Sequence, residues 1–190
     1  MAVWYLVRHG ESVANADDWL AGHVDAKMTS KGHRQAHKLS KELKNAPFER
    51  AVTSSLRRAS ETARMLMAGR KMPLEETEAL WERNMGAWAR KRRSRLKQTA
   101  EWRSQILSWG GKPPGGESQL DIARRSLTWL ADTDTDVDTL LVAHGGVLRI
   151  LLGLLEGKPP GAVGNRSVGN CECVRAQLDP GTWARLLATI

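Results

Sequence analysis

Residues 3–12 read VWYLVRHGES, and the interpretation of the whole chain starts from this stretch. Its first half is a continuous apolar run, which predicts a short buried strand. The run ends at Arg8, His9 and Gly10, which supply a fixed cation, an imidazole and a conformationally permissive residue. In an open α/β sheet, ligands bind where the carboxyl ends of strands give way to loops, and Arg8 and His9 follow the predicted strand at that point. An isolated Arg-His pair would indicate a solvated turn. The residues at the ends of the other strands therefore determine whether this pair belongs to a binding site.

The chain has the length and composition of one globular domain. Its 190 residues are enough to bury most of the apolar surface in one core, and 41% hydrophobic and 26% charged residues are ordinary for such a domain. No apolar run approaches the roughly 20 residues that a membrane helix needs. The N-terminus enters a strand without a signal-peptide pattern. We therefore expect a cytoplasmic protein with no membrane contact.

The net charge of +8 and the pI near 9.9 predict anionic partners. Either nucleic acid or a phosphate-bearing substrate would match this charge. Of the aromatic residues, 8 are Trp, and they are dispersed rather than interleaved with Arg and Lys, so no base-stacking surface is indicated. A basic nucleic-acid-binding protein therefore stays as the alternative from a different functional class.

Three strand–loop–helix units follow from the apolar patterns. Ser54 and Ser55 mark the start of the helix in the second unit, and the run TLLVA at 139–143 predicts a buried parallel strand in the third. Towards the C-terminus, the turn DPG at 179–181 is the clearest signal. The expected strands are 3–7, 51–53, 139–143, 171–178 and 183–190, and the expected helices are 30–45, 56–66, 117–131 and 147–155.

Residues 70–116 are the least regular part of the chain. They include the dense basic run RKRRSRLK at 90–97, and the apolar spacing at 102–109 predicts a helix that packs one face onto the body. The segment is too short and too poor in apolar residues to form its own core. We therefore expect one domain, residues 1–190, in which this segment is an insertion over the sheet edge that carries the candidate active site.

The three units present reactive groups at the same sheet edge: Arg8 and His9 from the first, Arg58 from the second and His144 from the third. A phosphoryl group carries about two negative charges near neutral pH, and guanidinium groups bind its oxygens bidentately. Two arginines and two imidazoles suffice to neutralise that charge without a metal. One imidazole can attack phosphorus through a neutral ring nitrogen, and a carboxyl group close to a bound phosphate is suited to protonate the leaving alkoxide.

These residues lie in motifs that resemble the histidine phosphatases, in the branch that contains cofactor-dependent phosphoglycerate mutase. The resemblance covers nearly the whole chain. The matching stretches are RHGES at 8–12 with Asn15, TSSLRRASETA at 53–63, LWERNMG at 80–86 and AHGG at 143–146.

The resemblance implies a three-layer α/β/α fold with a mostly parallel central sheet, and a ping-pong mechanism through a phosphohistidine. It implies that His9 is the nucleophile and Glu82 the proton donor and then the base for water. Neither a metal nor another cofactor is expected. By the same resemblance, the residues that hold the phosphoryl group are Arg8, Arg58 and His144, and those that bind substrate are Asn15, Gly22, Arg83 and Gly145.

The motifs leave the choice between phosphatase and mutase open. Arg83 resembles the mutases, whereas Gly146 stands where mutases typically carry asparagine, and Met85 replaces their tyrosine. The chain is also shorter than typical mutases. We therefore favour a phosphatase for a small phosphorylated metabolite, with phosphoglycerate mutase as the alternative.

The basic run 90–97 leads to a further hypothesis about the substrate. By default such a run is a solvated helix face. We expect that part of it, together with Arg83, attracts an additional acidic group on the substrate. The physiological substrate is not specified by these motifs, and a homodimer is left open.

Overall fold

The two apolar runs of the sequence form the centre of a sheet in the computed structural model, which describes residues 1–163 and 166–190. The first run is strand β1 (Ala2–Arg8). The later run TLLVA is the strand Thr139–Ala143, which pairs with β1 in parallel. Both strands are buried on both faces, as expected for central strands of continuous apolar character.

Strands and helices alternate along most of the chain. The strands are β1, β2 (Arg50–Ser54), β3 (Leu74–Thr77), β4 (Thr139–Ala143) and β5 (Cys173–Leu178). The helices are α1 (Val13–Ala16), α2 (Ser30–Glu42), α3 (Arg57–Leu66), α4 (Arg93–Leu96), α5 (Ala100–Trp102), α6 (Gln119–Asp132), α7 (Gly145–Leu155) and α8 (Thr182–Leu187). A π-helical turn, Arg103–Leu107, continues α5.

The strands of the described residues form one mixed sheet in the order β3-β2-β4-β1-β5. The pairs β1–β4, β2–β4 and β2–β3 are parallel, and β5 runs antiparallel to β1 at one edge. The prediction of a mostly parallel central sheet is therefore confirmed.

Alternate side chains of the central strands enter two separate cores, one on each face of the sheet. Trp4 and Leu6 of β1 lie in the core that α6, α7 and α8 cover, whereas Tyr5 and Val7 lie in the core covered by α2 and α3. This is the period-two alternation of a strand, with both faces apolar because both are covered by helices. The arrangement is the predicted three-layer α/β/α fold.

The expected strand at 183–190 is wrong, because this segment forms helix α8. Gly181 adopts a left-handed φ of 73° directly before the helix. Trp183 is fully buried and meets Trp4 edge to face, with ring centroids 5.1 Å apart. The apolar spacing of Trp183, Leu186 and Leu187 is helical, and in so short a run it could not be distinguished from a strand.

The segment 70–116 contributes more to the sheet than expected. Its residues 74–77 are β3, a half-exposed edge strand parallel to β2. The expected helix at 102–109 is shorter, since α5 and its π-helical turn end at Leu107. Trp102 stacks on Trp88, with ring centroids 6.1 Å apart, in a small cluster of its own. None of the helices in the described ranges is long and apolar enough to cross a membrane.

The strand register brings the carboxyl ends of three strands to one edge. Arg8 of β1 is paired with Ala143 of β4, and Thr53 of β2 with Val142. His9 and His144 directly follow Arg8 and Ala143, so the register places both imidazoles at the same edge.

We predict that Trp183→Ala destabilises the protein by about 3–5 kcal/mol, because it leaves a large cavity under a fully buried ring. Chemical denaturation followed by fluorescence or circular dichroism measures this change. As a matched control, Leu107→Ala removes a side chain that is 54% exposed and should change stability by less than about 0.5 kcal/mol. Equal effects of the two substitutions would contradict the assignment of Trp183 to the core.

Candidate active site

A cavity of about 410 Å³ opens at the sheet edge where the three strands end. His144 is not part of its lining, but its ring packs edge-on against that of His9, with centroids 5.1 Å apart. The structure thus brings the predicted residues of three strand ends and one distant loop into one place. The predicted residues that line the cavity are Arg8, His9, Asn15, Gly22, Arg58, Glu82, Arg83 and Gly145.

His9 is held as a neutral imidazole with one nitrogen available. Its Nδ1 lies 2.7 Å from the carbonyl oxygen of Gly10, and because a carbonyl only accepts, Nδ1 carries the proton. Burial, and then the charges of Arg58 and Arg8, lower the pKa of His9 well below its ordinary range. Nε2 therefore carries the lone pair, as a nitrogen nucleophile requires.

His144 is neutral for the same physical reasons. Its Nε2 lies 2.7 Å from Ser54 Oγ, which also accepts a hydrogen bond from the backbone N–H of Leu56. Burial, and then the charge of Arg58, lower the pKa of His144 well below its ordinary range. Nδ1 of His144 is buried and has no hydrogen-bond partner among the described residues. If the Ser54 hydroxyl donates to Nε2, the imidazole proton sits on this unpartnered Nδ1.

Backbone carbonyls hold the two predicted phosphate-binding arginines, of which Arg58 is buried and Arg8 is partly buried. Arg58 donates to the carbonyl of Gly22 (2.9 Å) and to that of Val24 (3.0 Å), and Arg8 donates to the carbonyl of Val168 (2.6 Å). Burial is the main cause that lowers the pKa of each arginine. Carbonyl oxygens orient these guanidinium groups without neutralising them, so the pair stays attractive to an anion.

Gly22 reaches the cavity through its backbone. It adopts a φ of 51°, in the left-handed region that favours glycine, and its carbonyl oxygen fixes one end of Arg58. Its contribution in the structure is therefore to position Arg58.

Glu82 lies against the N-terminus of α7. Both of its carboxylate oxygens are 3.1 Å from the backbone nitrogen of Gly146, and Oε1 also accepts from the N–H of Arg83 at 2.8 Å. Free N–H groups at a helix N-terminus stabilise a carboxylate. A Cβ at position 146 would overlap Oε1, so only glycine permits this approach. Gly145 likewise begins α7 beside the Arg8 guanidinium.

The sequence predicts that Arg83 binds substrate, but in the structure its guanidinium is hydrogen-bonded to carbonyl groups of the protein. It donates to the carbonyls of Glu117 (2.7 Å), Ile106 (3.0 Å), Gln105 (2.9 Å) and Gly111 (2.7 Å). Burial, opposed by Glu82 and Glu117, lowers its pKa to about 10, so it remains charged at neutral pH. Arg83 thus stabilises the loop that forms one side of the cavity.

Three further side chains that sequence reasoning missed support the catalytic groups. Asn170 donates to the carbonyl of His9 (2.9 Å) and to Oδ1 of Asn15 (3.3 Å). Thr62 accepts the N–H of Gly10 at 3.0 Å, and Ser54 contacts His144 as described. Ser54 ends β2 in the motif already quoted and could have been found, whereas nothing near Asn170 in sequence points to His9.

The cavity has a strong positive charge and a partly apolar wall. Among the described residues that line it, six are Arg or Lys and one, Glu82, is acidic, which is a formal charge of +5 with His9 neutral. In the ranges that the structure covers, no three His, Cys, Asp or Glu side chains are grouped to hold a metal ion. The arrangement fits an anion with an organic portion. The apolar lining comprises Trp19, Leu20, Met85, Trp102, Ile106, Leu107, Ile122, Ile150 and Val168.

The two buried imidazoles predict that stability falls with falling pH. Their pKa values are lowered in the folded protein, so below about pH 6.5 the unfolded chain binds protons that the native state does not bind. The free energy of unfolding should therefore decrease below that pH, by up to about 1.4 kcal/mol per pH unit for each imidazole. Denaturation of the wild type and of His9→Asn between about pH 7 and pH 5 should give a shallower slope for the variant. The control His37→Asn removes an exposed imidazole on α2 and should keep the wild-type slope.

Comparison with known proteins agrees with this fold. The profile of the histidine phosphatase superfamily (branch 1) matches residues 4–189. A protein of Yersinia enterocolitica named "Probable phosphoglycerate mutase GpmB" is 32% identical over 185 residues, which is 94% of this chain and 86% of that protein.

Two solved structures share the fold. The alpha-ribazole phosphatase of Shigella flexneri is 27% identical with a TM-score of 0.82, over 93% of this chain and 91% of that chain. The mycobacterial glucosyl-3-phosphoglycerate phosphatase in complex with VO3 is 25% identical with a TM-score of 0.82, over 93% of each chain. The chain therefore belongs to the histidine phosphatase superfamily, branch 1, and is an enzyme of the phosphatase type.

Proposed function

We propose that the protein is a metal-independent phosphomonoesterase that acts on a small phosphorylated metabolite through a phosphohistidine at His9. The observation that carries this proposal is the neutral, oriented imidazole of His9 beside two arginines, one buried and one partly buried, whose hydrogen bonds go to backbone carbonyls. This combination suits a phosphoryl group, which brings the missing negative charge.

In the first step, the lone pair of His9 Nε2 attacks phosphorus. The bond between phosphorus and the ester oxygen breaks, and the leaving alkoxide takes a proton from the carboxyl group of Glu82. Arg8, Arg58 and the Nδ1 side of His144 stabilise the charge on the non-bridging oxygens. The N–H at His9 Nδ1 stays hydrogen-bonded to the Gly10 carbonyl, which keeps the ring oriented throughout.

In the second step, the Glu82 carboxylate removes a proton from water, and the oxygen attacks the phosphohistidine. The nitrogen–phosphorus bond breaks, inorganic phosphate leaves, and His9 returns to its neutral form with Glu82 protonated.

The cavity supports a small substrate with an additional acidic group. A volume of about 410 Å³ accommodates a phosphoryl group and a compact organic portion. Of the basic run 90–97, Arg93 and Lys97 line the cavity, whereas Arg92 lines a separate depression beside Asp18. Residues about 70–116 supply much of the wall opposite the strand ends, and we propose that they act as the cover over the active site.

Phosphoglycerate mutase remains the alternative activity, because the Yersinia relative is named a probable phosphoglycerate mutase. Gly146 favours hydrolysis in this chain. A side chain at that position would collide with Glu82, so the asparagine typical of mutases would require a different position of the acid. Binding of nucleic acid has less support, because none of the eight tryptophans, all of them in the described ranges, is exposed for stacking.

The expected activity is release of inorganic phosphate from phosphomonoesters in the presence of EDTA. His9→Ala should abolish release and also the acid-labile label that a radioactive phosphate donor leaves on the protein, because the nucleophile is gone. With 3-phosphoglycerate, product analysis should give glycerate rather than 2-phosphoglycerate. Isomerisation without phosphate release would establish the mutase instead. Salt-sensitive RNA binding with no turnover would establish the nucleic-acid-binding alternative.

Gly146→Ala should lower kcat/KM for substrates with an alkoxide leaving group by about 100-fold, because the added methyl group displaces the Glu82 carboxylate from the α7 N-terminus. In the proposed two-step mechanism, kcat/KM reports only the formation of the phosphohistidine, so the loss should be much smaller with p-nitrophenyl phosphate, whose leaving group needs no proton. The control Gly110→Ala adds its methyl group in open space and should leave kcat/KM unchanged. An equal loss with both kinds of leaving group would argue against Glu82 as the acid.

A further inference from the structure

Arg149 lines the cavity but has no role in the mechanism above. It lies on α7, is half-buried, and its Nε is buried without a hydrogen-bond partner among the described residues. No hydrogen bond or salt bridge joins its guanidinium to any side chain or carbonyl of those residues. A buried guanidinium nitrogen without a partner is costly unless a ligand provides one.

Two other arginines of this protein, the buried Arg83 and the partly buried Arg125, show how a structural arginine is held. Arg83 makes four hydrogen bonds to carbonyls, and Arg125 binds the carboxylate of Glu117 and the carbonyls of Ala79 and Trp81. Arg149 has no such contacts and faces the same cavity as Arg83. Its arrangement is therefore that of a ligand-binding arginine.

Arg149 lies close to Glu82 along α7. It is three residues after Gly146, so the two lie on the same face of α7, about one turn or 5 Å apart along the axis. Gly146 contacts Glu82 beside the reacting phosphoryl group. A group bound by Arg149 would therefore lie close enough to a phosphoryl group beside Gly146 to belong to the same small molecule.

The charge of the cavity indicates that this group is an anion. A phosphoryl dianion offsets about two of the five net positive charges of the lining, which leaves an excess. Burial is the main cause of the lowered pKa of Arg8, Glu82 opposes it, and the charges of Arg93 and Arg149 lower it further. The cations of the cavity thus repel one another, and a second anionic group would reduce the repulsion that remains after a phosphoryl group binds.

We infer that Arg149 is the specificity-determining residue that binds a second anionic group of the substrate, a carboxylate or a second phosphate about one helical turn from the phosphoryl group. This inference rests on the proposed phosphatase function and adds the substrate class to it. Arg149 takes the task that the sequence assigned to Arg83, whose guanidinium the protein itself occupies.

The test compares substrates that differ only in the second anion. The carboxylate pair is 3-phosphoglycerate and glycerol 3-phosphate, and the phosphate pair is 1,3-propanediol bisphosphate and its monophosphate. Steady-state kinetics are measured for the wild type, Arg149→Met and Arg149→Lys. The matched control is Arg124→Met, which removes an exposed arginine on α6. Circular dichroism and thermal unfolding establish that each variant is folded.

The wild type should prefer the member of one pair that carries the second anion, and Arg149→Met should lose about 10- to 100-fold in kcat/KM for it, mainly through KM. For the other substrate of the pair, which lacks the second anion, kcat/KM of the same variant should change by less than about threefold. A variant with a merely structural defect would lose activity with both substrates. Arg149→Lys should recover part of the preference, because it keeps the charge without the bidentate geometry. Arg124→Met should resemble the wild type. Which pair responds identifies the second anion as carboxylate or phosphate.

Calorimetric binding of the same four compounds to His9→Gln separates this inference from the proposed function. If the wild type hydrolyses none of the compounds, the phosphatase proposal fails, and the effect of adding Arg149→Met on binding still decides the role of Arg149. In another outcome, hydrolysis occurs while Arg149→Met lowers kcat/KM and binding affinity equally for all four compounds, or for none of them. In that case the inference about Arg149 is overturned and the phosphatase proposal stands.

Discussion

The constraint on which this structure depends is the burial of positive charge that the protein does not neutralise. Arg8 and Arg58 are largely withdrawn from solvent beside two imidazoles, and their hydrogen bonds within the described residues go to carbonyl oxygens. Such charge is expensive unless a counter-ion joins it. Burial, and then the same positive charges, lower the pKa of His9, which keeps its imidazole neutral, and the charges attract an anion. In the proposed mechanism, the same buried charges favour the neutral form of His9 and bind the phosphoryl group that it attacks.

The two walls of the cavity are built differently. One wall consists of strand ends and the first turn of α7, whose backbone is set by the parallel register of β1, β2 and β4. The other wall is the irregular segment after β3, which Arg83 fastens through four carbonyls. The proposed nucleophile and the arginines proposed to hold the phosphoryl group lie on the rigid wall. The irregular wall contributes Glu82, the proposed acid, so both walls are needed for the proposed chemistry.

Most elements can be predicted from local patterns, and the failures have identifiable physical causes. The strands at 51–53 and 139–143 and the four long helices are predictable, because their apolar periodicity is strong and both sheet faces are covered. The strand expected at 183–190 is a helix because Trp183 packs against Trp4, a contact between the two ends of the chain. β3 is not predictable from the sequence, because residues 74–77 (LEET) are mostly polar and become a strand through pairing with β2 at the edge of the sheet.

Covalent order is enough to set which chemical groups follow each strand, because Arg8, His9 and His144 stand at the ends of apolar runs that must be buried. What each group can bind depends on the folded chain around it. Arg83 and Arg149 look alike in sequence, yet one is bound by carbonyls from residues 105–117 and the other is left open to the cavity. The reason is that hydrogen-bond partners and desolvation come from segments far apart in the chain, and no local pattern encodes them.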